Sequence, residues 1–223
     1  MRPPYRYEIL QVTPEQVAHD REVLGGLTAA VRDLNEASLQ TLIDENEIEE
    51  ITGAVQALTA RMRTRQIDGS YGVALTETGT VLGHGNAVVG MRNPIAPPVE
   101  VQRGGDGHAW AEFHLNALYE GPPGLVHGGV VALVLDQILG ECAADGGGPG
   151  MTGTLTIRYQ RPTVLGACSA EAWVSEMTER KTFVRGVLRD ASGEETAEAT
   201  GVFILPRAVR AKAAAGVQSN IWA

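Results

Sequence analysis

The apolar positions of this chain change period along its length, and the changes divide it into segments. Over residues 14–66 they recur by threes and fours. Val17, Val23, Leu24, Leu27, Val31 and Leu34 fall on one stripe, and Ile48, Ile51, Val55, Leu58 and Met62 on another. This is the helical period, and it predicts a first helix from Thr13-Pro14-Glu15 and a second from about Leu39 to Arg65. Thr at the cap, Pro at the first helical position and an acid in the first turn form a helix start. Residues 67–106 carry no sustained period and hold at most short strands. Asn93-Pro94-Ile95-Ala96-Pro97-Pro98 cannot be regular structure.

From residue 107 the period becomes two. Ala109, Ala111, Phe113 and Leu115 alternate with Trp110, Glu112, His114 and Asn116, the pattern of a half-buried strand. After the turn Gly121-Pro122-Pro123-Gly124, the stretch His127 to Ala144 predicts a helix of about four turns. Apart from Asp136, Gln137 and Glu141 it is apolar on every side, which predicts burial all round. Four strands follow, from Met151, Ala167, Thr182 and Glu195, with a hairpin signal at Ala191-Ser192-Gly193 and a stop at Pro206. A sequential meander curling around one buried helix satisfies both patterns. The expected fold is α+β: a curved antiparallel sheet wrapped around a long central helix, with an added N-terminal helical segment outside the sheet or covering it. The expected division is a helical extension at 1–70, the sheet-and-helix domain at 71–206 and a loosely held tail at 207–223.

Length and composition narrow the class. The chain has 223 residues, 43% hydrophobic and 20% charged, as in globular proteins. The longest apolar run, Val130 to Leu135, is far short of the ~20 residues of a membrane-spanning helix. The N-terminus has prolines and charges where a secretory signal has an apolar stretch, so the expected location is cytoplasmic. A net charge of −9 argues against a nucleic-acid partner. Two cysteines, Cys142 and Cys168, make neither a disulfide framework nor a metal cluster. His84, His108 and His114 lack partners at ligand spacing, so no metal is expected. There is no Gly-x-Ser-x-Gly elbow. Gly146-Gly147-Gly148-Pro149-Gly150 lacks the Lys of a phosphate-binding loop.

Asp136 is the anomaly. A carboxylate in the middle of a buried apolar helix is destabilising unless it is paired or used. His127-Gly128-Gly129 precedes that helix. Helix starts leave N–H groups unpaired, and glycine lets a ligand approach them, so a carbonyl gaining negative charge would be stabilised there. His127 and Asp136 are nine positions apart, about 180° around a helix and about 13 Å along it. One chain cannot easily bring them to one site. Two antiparallel copies across a two-fold axis can, which implies a homodimer with two composite sites.

The run from Gly121 through His127-Gly128-Gly129 to Asp136, with the strand Met151-Thr152 to Tyr159-Gln160-Arg161-Pro162, resembles the hotdog-fold thioesterases of the PaaI-like and THEM4-like superfamily over roughly residues 93–205. The resemblance implies hydrolysis of an acyl-CoA thioester by a dimer or dimer of dimers, with coenzyme A as part of the substrate and no other cofactor. By position, Asp136 would be the general base or nucleophile. The backbone at Gly128 or Gly129 would polarise the carbonyl, His127 would position the thioester, and Thr152 would help hold the water. Many PaaI-like members carry Asn where this chain has Gly121, and the adjacent Glu120 could supply a carboxylate near the site. Arg161, Arg180 and Lys181 are candidates for the CoA phosphates. The apolar helix suits a fatty or aromatic acyl group. The alternatives are an enoyl-CoA hydratase, whose differently spaced motif is not found, a non-catalytic acyl-CoA or lipid-binding hotdog protein, and an interaction protein working through residues 14–66. Those residues would cover the acyl pocket or add a second oligomer interface.

Overall fold

The computed structural model describes residues 8–76, 81–148 and 150–205. The expected tail at 207–223 and the stop at Pro206 lie outside them. A short strand, β1 (Glu8–Leu10), precedes α1 (Pro14–Gln40) and α2 (Glu45–Arg63). The Thr13 hydroxyl caps α1 by accepting from Gln16 N–H at 3.2 Å, as the sequence predicts. The second helix starts later than expected. Leu39 belongs to the last turn of α1, the chain is extended at Thr41, and Asp44 caps α2 by accepting from Asn46 and Glu47 N–H at 3.0 and 3.1 Å. A side chain that satisfies two orphan amides fixes the helix start at its own position.

The stripe expected on α1 divides into two. Val17, Leu24 and Val31 are half-buried toward the body, whereas Val23, Leu27 and Leu34 are exposed. Arg32 anchors α1 by donating to the carbonyls of Ala96 and Asn93 at 3.0 and 3.4 Å. The helix therefore covers the irregular segment 84–100 rather than the sheet. That segment is itself core, with Val88, Ala96, Pro97 and Val99 buried. It is held without regular structure by Asn86, whose Oδ1 accepts from Val88 and Val89 N–H at 2.6 and 3.0 Å. Two short strands, β2 (Ala74–Thr76) and β3 (Val81–Leu82), join β1 in a small sheet, β1–β2 parallel. The expected boundary near residue 70 is thus crossed by strand pairing.

The main sheet contains β4 (Gln102–Arg103), β5 (His108–Leu115), β6 (Met151–Tyr159), β7 (Gly166–Met177), β8 (Lys181–Asp190) and β9 (Glu195–Ile204). Its order is β4-β5-β7-β8-β9-β6. On β5, Ala109, Ala111, Phe113 and Leu115 are buried, as the alternation predicts. The β7–β8–β9 meander is also as expected, with Gly193 at φ 78° in its second hairpin. The place of β6 is not as expected. It lies at the far edge beside β9, and β7 crosses back to β5. The link 160–165 lacks hairpin chemistry. Its amides instead reach Thr196 O from Gln160 and Arg161, and Gly124 O from Leu165.

The central helix, α3 (Gly128–Gly147), lies on the sheet through Val131, Val134, Leu135, Ile138, Leu139, Cys142 and Ala143, all buried. The expectation of burial all round fails in the single chain. Gly129 and Leu133 are exposed, and Ala132, Asp136 and Gly140 are half-buried. These five recur at helical spacing and form one open face. No helix among the described residues is long and apolar enough to cross a membrane.

Candidate active site

The chain enters α3 through a tight loop. A 3-10 turn at Ala117–Tyr119 leads to Glu120, whose carboxylate accepts from Gly124 N–H at 2.7 Å and closes the Gly-Pro-Pro-Gly turn. Glu120 is therefore engaged in holding its own loop. His127 N–H donates to Tyr119 O at 2.9 Å. A Cβ on residue 121 would come within 2.8 Å of His127 Cα and 3.2 Å of His127 Cβ. Glycine at 121, where the PaaI-like pattern has Asn, is what this packing of the loop on His127 requires.

His127 is the N-cap of α3, and its Nδ1 accepts from Gly129 N–H at 3.0 Å. An accepting Nδ1 assigns the neutral ring's proton to Nε2. The exposed edge of the ring is then a donor. Of the two glycine amides, that of Gly129 is taken by His127, and that of Gly128 has no hydrogen bond among the described residues. The Gly128 carbonyl accepts from the Tyr159 hydroxyl at 2.8 Å. Tyr159 ends β6 and was not among the sequence candidates. Its signal is an aromatic with a polar handle on an otherwise solvent-facing strand end.

Asp136 sits two turns further along α3. Its Oδ1 accepts from Thr152 Oγ1 at 2.9 Å, so the structure joins these two predicted residues. The ladder of β6 with β9 shifts register between Thr152 and Thr154. Gly153 occupies the shift, and a Cβ there would come within 2.6 Å of Ile204 Cδ1. Next to Asp136, Gln137 accepts from Asn86 Nδ2 at 2.9 Å and donates to Glu141 at 2.8 Å, and Glu141 pairs with Arg103. This chain of contacts ties α3 to segment 84–100 and to β4.

Register places the remaining candidates. Met151, Ile204 and Lys181 lie in one row across β6, β9 and β8. Lys181 is therefore two strands, roughly 10 Å, from the Asp136–Thr152 end. It lines a shallow groove with Thr178, Glu179, Arg180 and Ile204. Arg161 is at the opposite end, ion-paired with Glu194 and donating to Glu195 O at 3.2 Å. His127, Gly128 and Tyr159 share that end. Within one chain Gly128 and Asp136 are eight helical residues, about 12 Å, apart.

Other titratable groups have structural partners. His108 is within 3.0 Å of Glu171 and stacks on Trp110, and its hydrogen bond holds the Glu171 carboxyl below the usual range. Burial pushes the Cys142 and Cys168 thiols up to about 12 and about 11, which keeps them as inert core groups.

The comparisons with known proteins agree with this architecture. The model of the Thioesterase superfamily matches residues 123–197, from the turn before His127 to the third residue of β9. A solved structure named as a thioesterase superfamily protein is 27% identical with a TM-score of 0.74, covering 92% of this chain and 98% of that one. Such coverage must include helical residues ahead of the main sheet. The fold is the hotdog arrangement of that solved structure, and residues 123–197 are similar to the Thioesterase superfamily.

The chain is similar to acyl-coenzyme A thioesterase THEM4 of Bos taurus, 40% identical over 90 residues, 38% of this chain and 35% of that protein. It is also similar to the THEM4 of Xenopus laevis, 39% identical over 95 residues, 41% of this chain and 42% of that protein. The chain thus matches well under half the length of these relatives.

Proposed function

We propose that the protein hydrolyses an acyl-CoA thioester, with Asp136 as the general base or nucleophile, at two equivalent sites shared across a homodimer. The observation that carries this reading is the bond from Thr152 Oγ1 to Asp136 Oδ1 on the open face of α3. It orients one carboxylate oxygen and leaves the other to take a proton from water. The likeness to named acyl-coenzyme A thioesterases supports the substrate class.

As the water oxygen bonds to the thioester carbonyl carbon, Asp136 accepts its proton. The tetrahedral oxyanion rests on Gly128 N–H and the Nε2–H of His127, both supplied by the partner. Collapse breaks the C–S bond, and the proton passes from Asp136 to the leaving thiolate. Donors at a helix start and a base on the opposing face suit a charge that develops between them. The two-fold pairing is supported by the open α3 face, with Leu133 40% exposed, and by the edge strand β6, where only Leu155 and Ile157 are half-buried. Lys181, with the adjacent Arg180, lies in the strand row beside the Asp136–Thr152 end, and we assign the two to the CoA phosphates ahead of Arg161, which is already ion-paired.

The test is thiol release from short, medium, long and aromatic acyl-CoAs by wild type and Asp136→Asn, a change that keeps size and removes the base. Turnover by wild type with a loss of about 10² or more in the variant is expected. Binding of acyl-CoA without thiol release by wild type would overturn hydrolysis and favour a non-catalytic acyl-CoA-binding protein.

A further inference from the structure

Helix α2 is amphipathic, yet no residue of it is buried. Ile48 and Ile51 are each 43% exposed, Leu58 59% and Met62 53%, and Val55 at their centre is half-buried. A 19-residue helix gains little from its own hydrogen bonds and is normally held by the packing of its apolar face. The spacing of these five residues, three and four alternating, is that of a seam between paired helices.

The charges beside the seam say what fits it. Glu45 and Glu47 lie in the first turn, and Arg61 and Arg63 in the last. At 100° per residue, Glu47 and Arg61 border one side of the apolar stripe, and Glu45 and Arg63 border the other. Both pairs and the stripe share a midpoint at residues 54–55. A single two-fold axis there sets stripe against stripe and opposes Glu47 to Arg61 and Glu45 to Arg63. A parallel pairing would set like against like. The exposed stripe of α1 (Val23, Leu27, Leu34) is a poorer occupant, because the acids Asp20, Glu22 and Asp33 border it. An anionic lipid surface would repel the acidic half of α2.

We propose that α2 is a homotypic interface that pairs antiparallel with α2 of a second copy of this chain, Glu45 and Glu47 of each copy facing Arg63 and Arg61 of the other. The pairing does not depend on thioester hydrolysis. It joins protomers through a surface distinct from the open face of α3.

Site-directed crosslinking of the full-length protein tests it. Val55→Cys, Ile48→Cys and Met62→Cys are treated separately with a short bismaleimide and run on a denaturing gel. The buried native thiols Cys142 and Cys168 stay silent. Residues 48 and 62 are about 21 Å apart along the helix. V55C is expected to couple to its own copy, and I48C and M62C at least about tenfold less, while a mixture of I48C and M62C chains couples across copies. Glu47→Arg should lower V55C coupling several-fold at low salt, and Arg61→Glu added to it should restore coupling. Absence of V55C coupling, equal self-coupling of all three, or coupling of V55C to Leu27→Cys in its place would overturn the proposal.

Discussion

Replacing Thr152 by Val removes one hydroxyl and almost no volume, and a β-branched side chain keeps its place in the strand. What is lost is the 2.9 Å bond to Asp136 Oδ1. A hydrogen bond to a charged group contributes about 1.5–3 kcal/mol. Thr152 is exposed and Asp136 half-buried in the single chain, which favours the lower figure, and about 1.4 kcal/mol is a factor of about ten in rate. Thiol release by Thr152→Val should therefore fall about tenfold in kcat. KM should change little, because Thr152 acts through Asp136 and not on the substrate. Thr152→Ser keeps the hydroxyl and should recover most of the rate. The decisive comparison is the double variant. If the threonine works only by orienting the carboxylate, then adding Thr152→Val to Asp136→Asn should cost less than about twofold more. Independent multiplication of the two losses, or a Thr152→Val enzyme as fast as wild type, would refute the argument.

Gly121→Ala should destabilise the protein by about 1–3 kcal/mol, because its Cβ meets the backbone of His127 at 2.8 Å. A thermal melt unchanged from wild type would sink that reading. Burial and the neighbouring Arg92 hold the His84 imidazole below its ordinary value of 6.5. Below that value the unfolded chain binds the proton more readily than the folded one, so this contribution to stability is complete above about pH 6.5 and is lost as pH falls through the depressed folded value. His84→Gln should flatten the fall of Tm on acidification below pH 6.5, and an unchanged slope would exclude His84 as a source of it.

The elements most legible in the sequence are those with one dry face. The β5 alternation is plain because Ala109, Ala111, Phe113 and Leu115 all enter the same core. The strands around the Asp190–Glu195 hairpin are equally plain, because Gly193 supplies the positive φ the turn uses. What the sequence hides are partners far away along the chain. Nothing in Met151 to Tyr159 names β9 as the neighbour of β6. The crossover follows from where the amides of Gln160, Arg161 and Leu165 find acceptors, and that depends on the folded end of the sheet. The burial of segment 84–100 is hidden for a related reason. Its glycines and prolines suggest surface loop, yet Asn86 satisfies two amides from within and bridges to Gln137, so the segment can be buried without a strand or helix.

The candidate site divides along the same line. The separation of His127 from Asp136 needs only the rigidity of a helix, and nine residues of α3 suffice to set it. The use of each group needs contacts that spacing does not contain. His127 Nδ1 accepts from Gly129 N–H, which engages one of the two glycine amides and leaves Nε2 as the donor of the neutral ring. Glu120 accepts from Gly124 N–H with its carboxylate and so holds its own loop. Tyr159 enters because β6 runs beside α3 and brings its hydroxyl to Gly128 O. Each of these contacts lies at one end of α3, and Asp136 with Thr152 lies at the other. In the proposed pairing a two-fold axis across the open face would superpose the two ends, one from each copy. The same step would cover Leu133, the one large apolar side chain that α3 leaves exposed. Under the proposed function, the chemistry and the packing of this helix ask for the same partner, a second copy of the chain in antiparallel orientation.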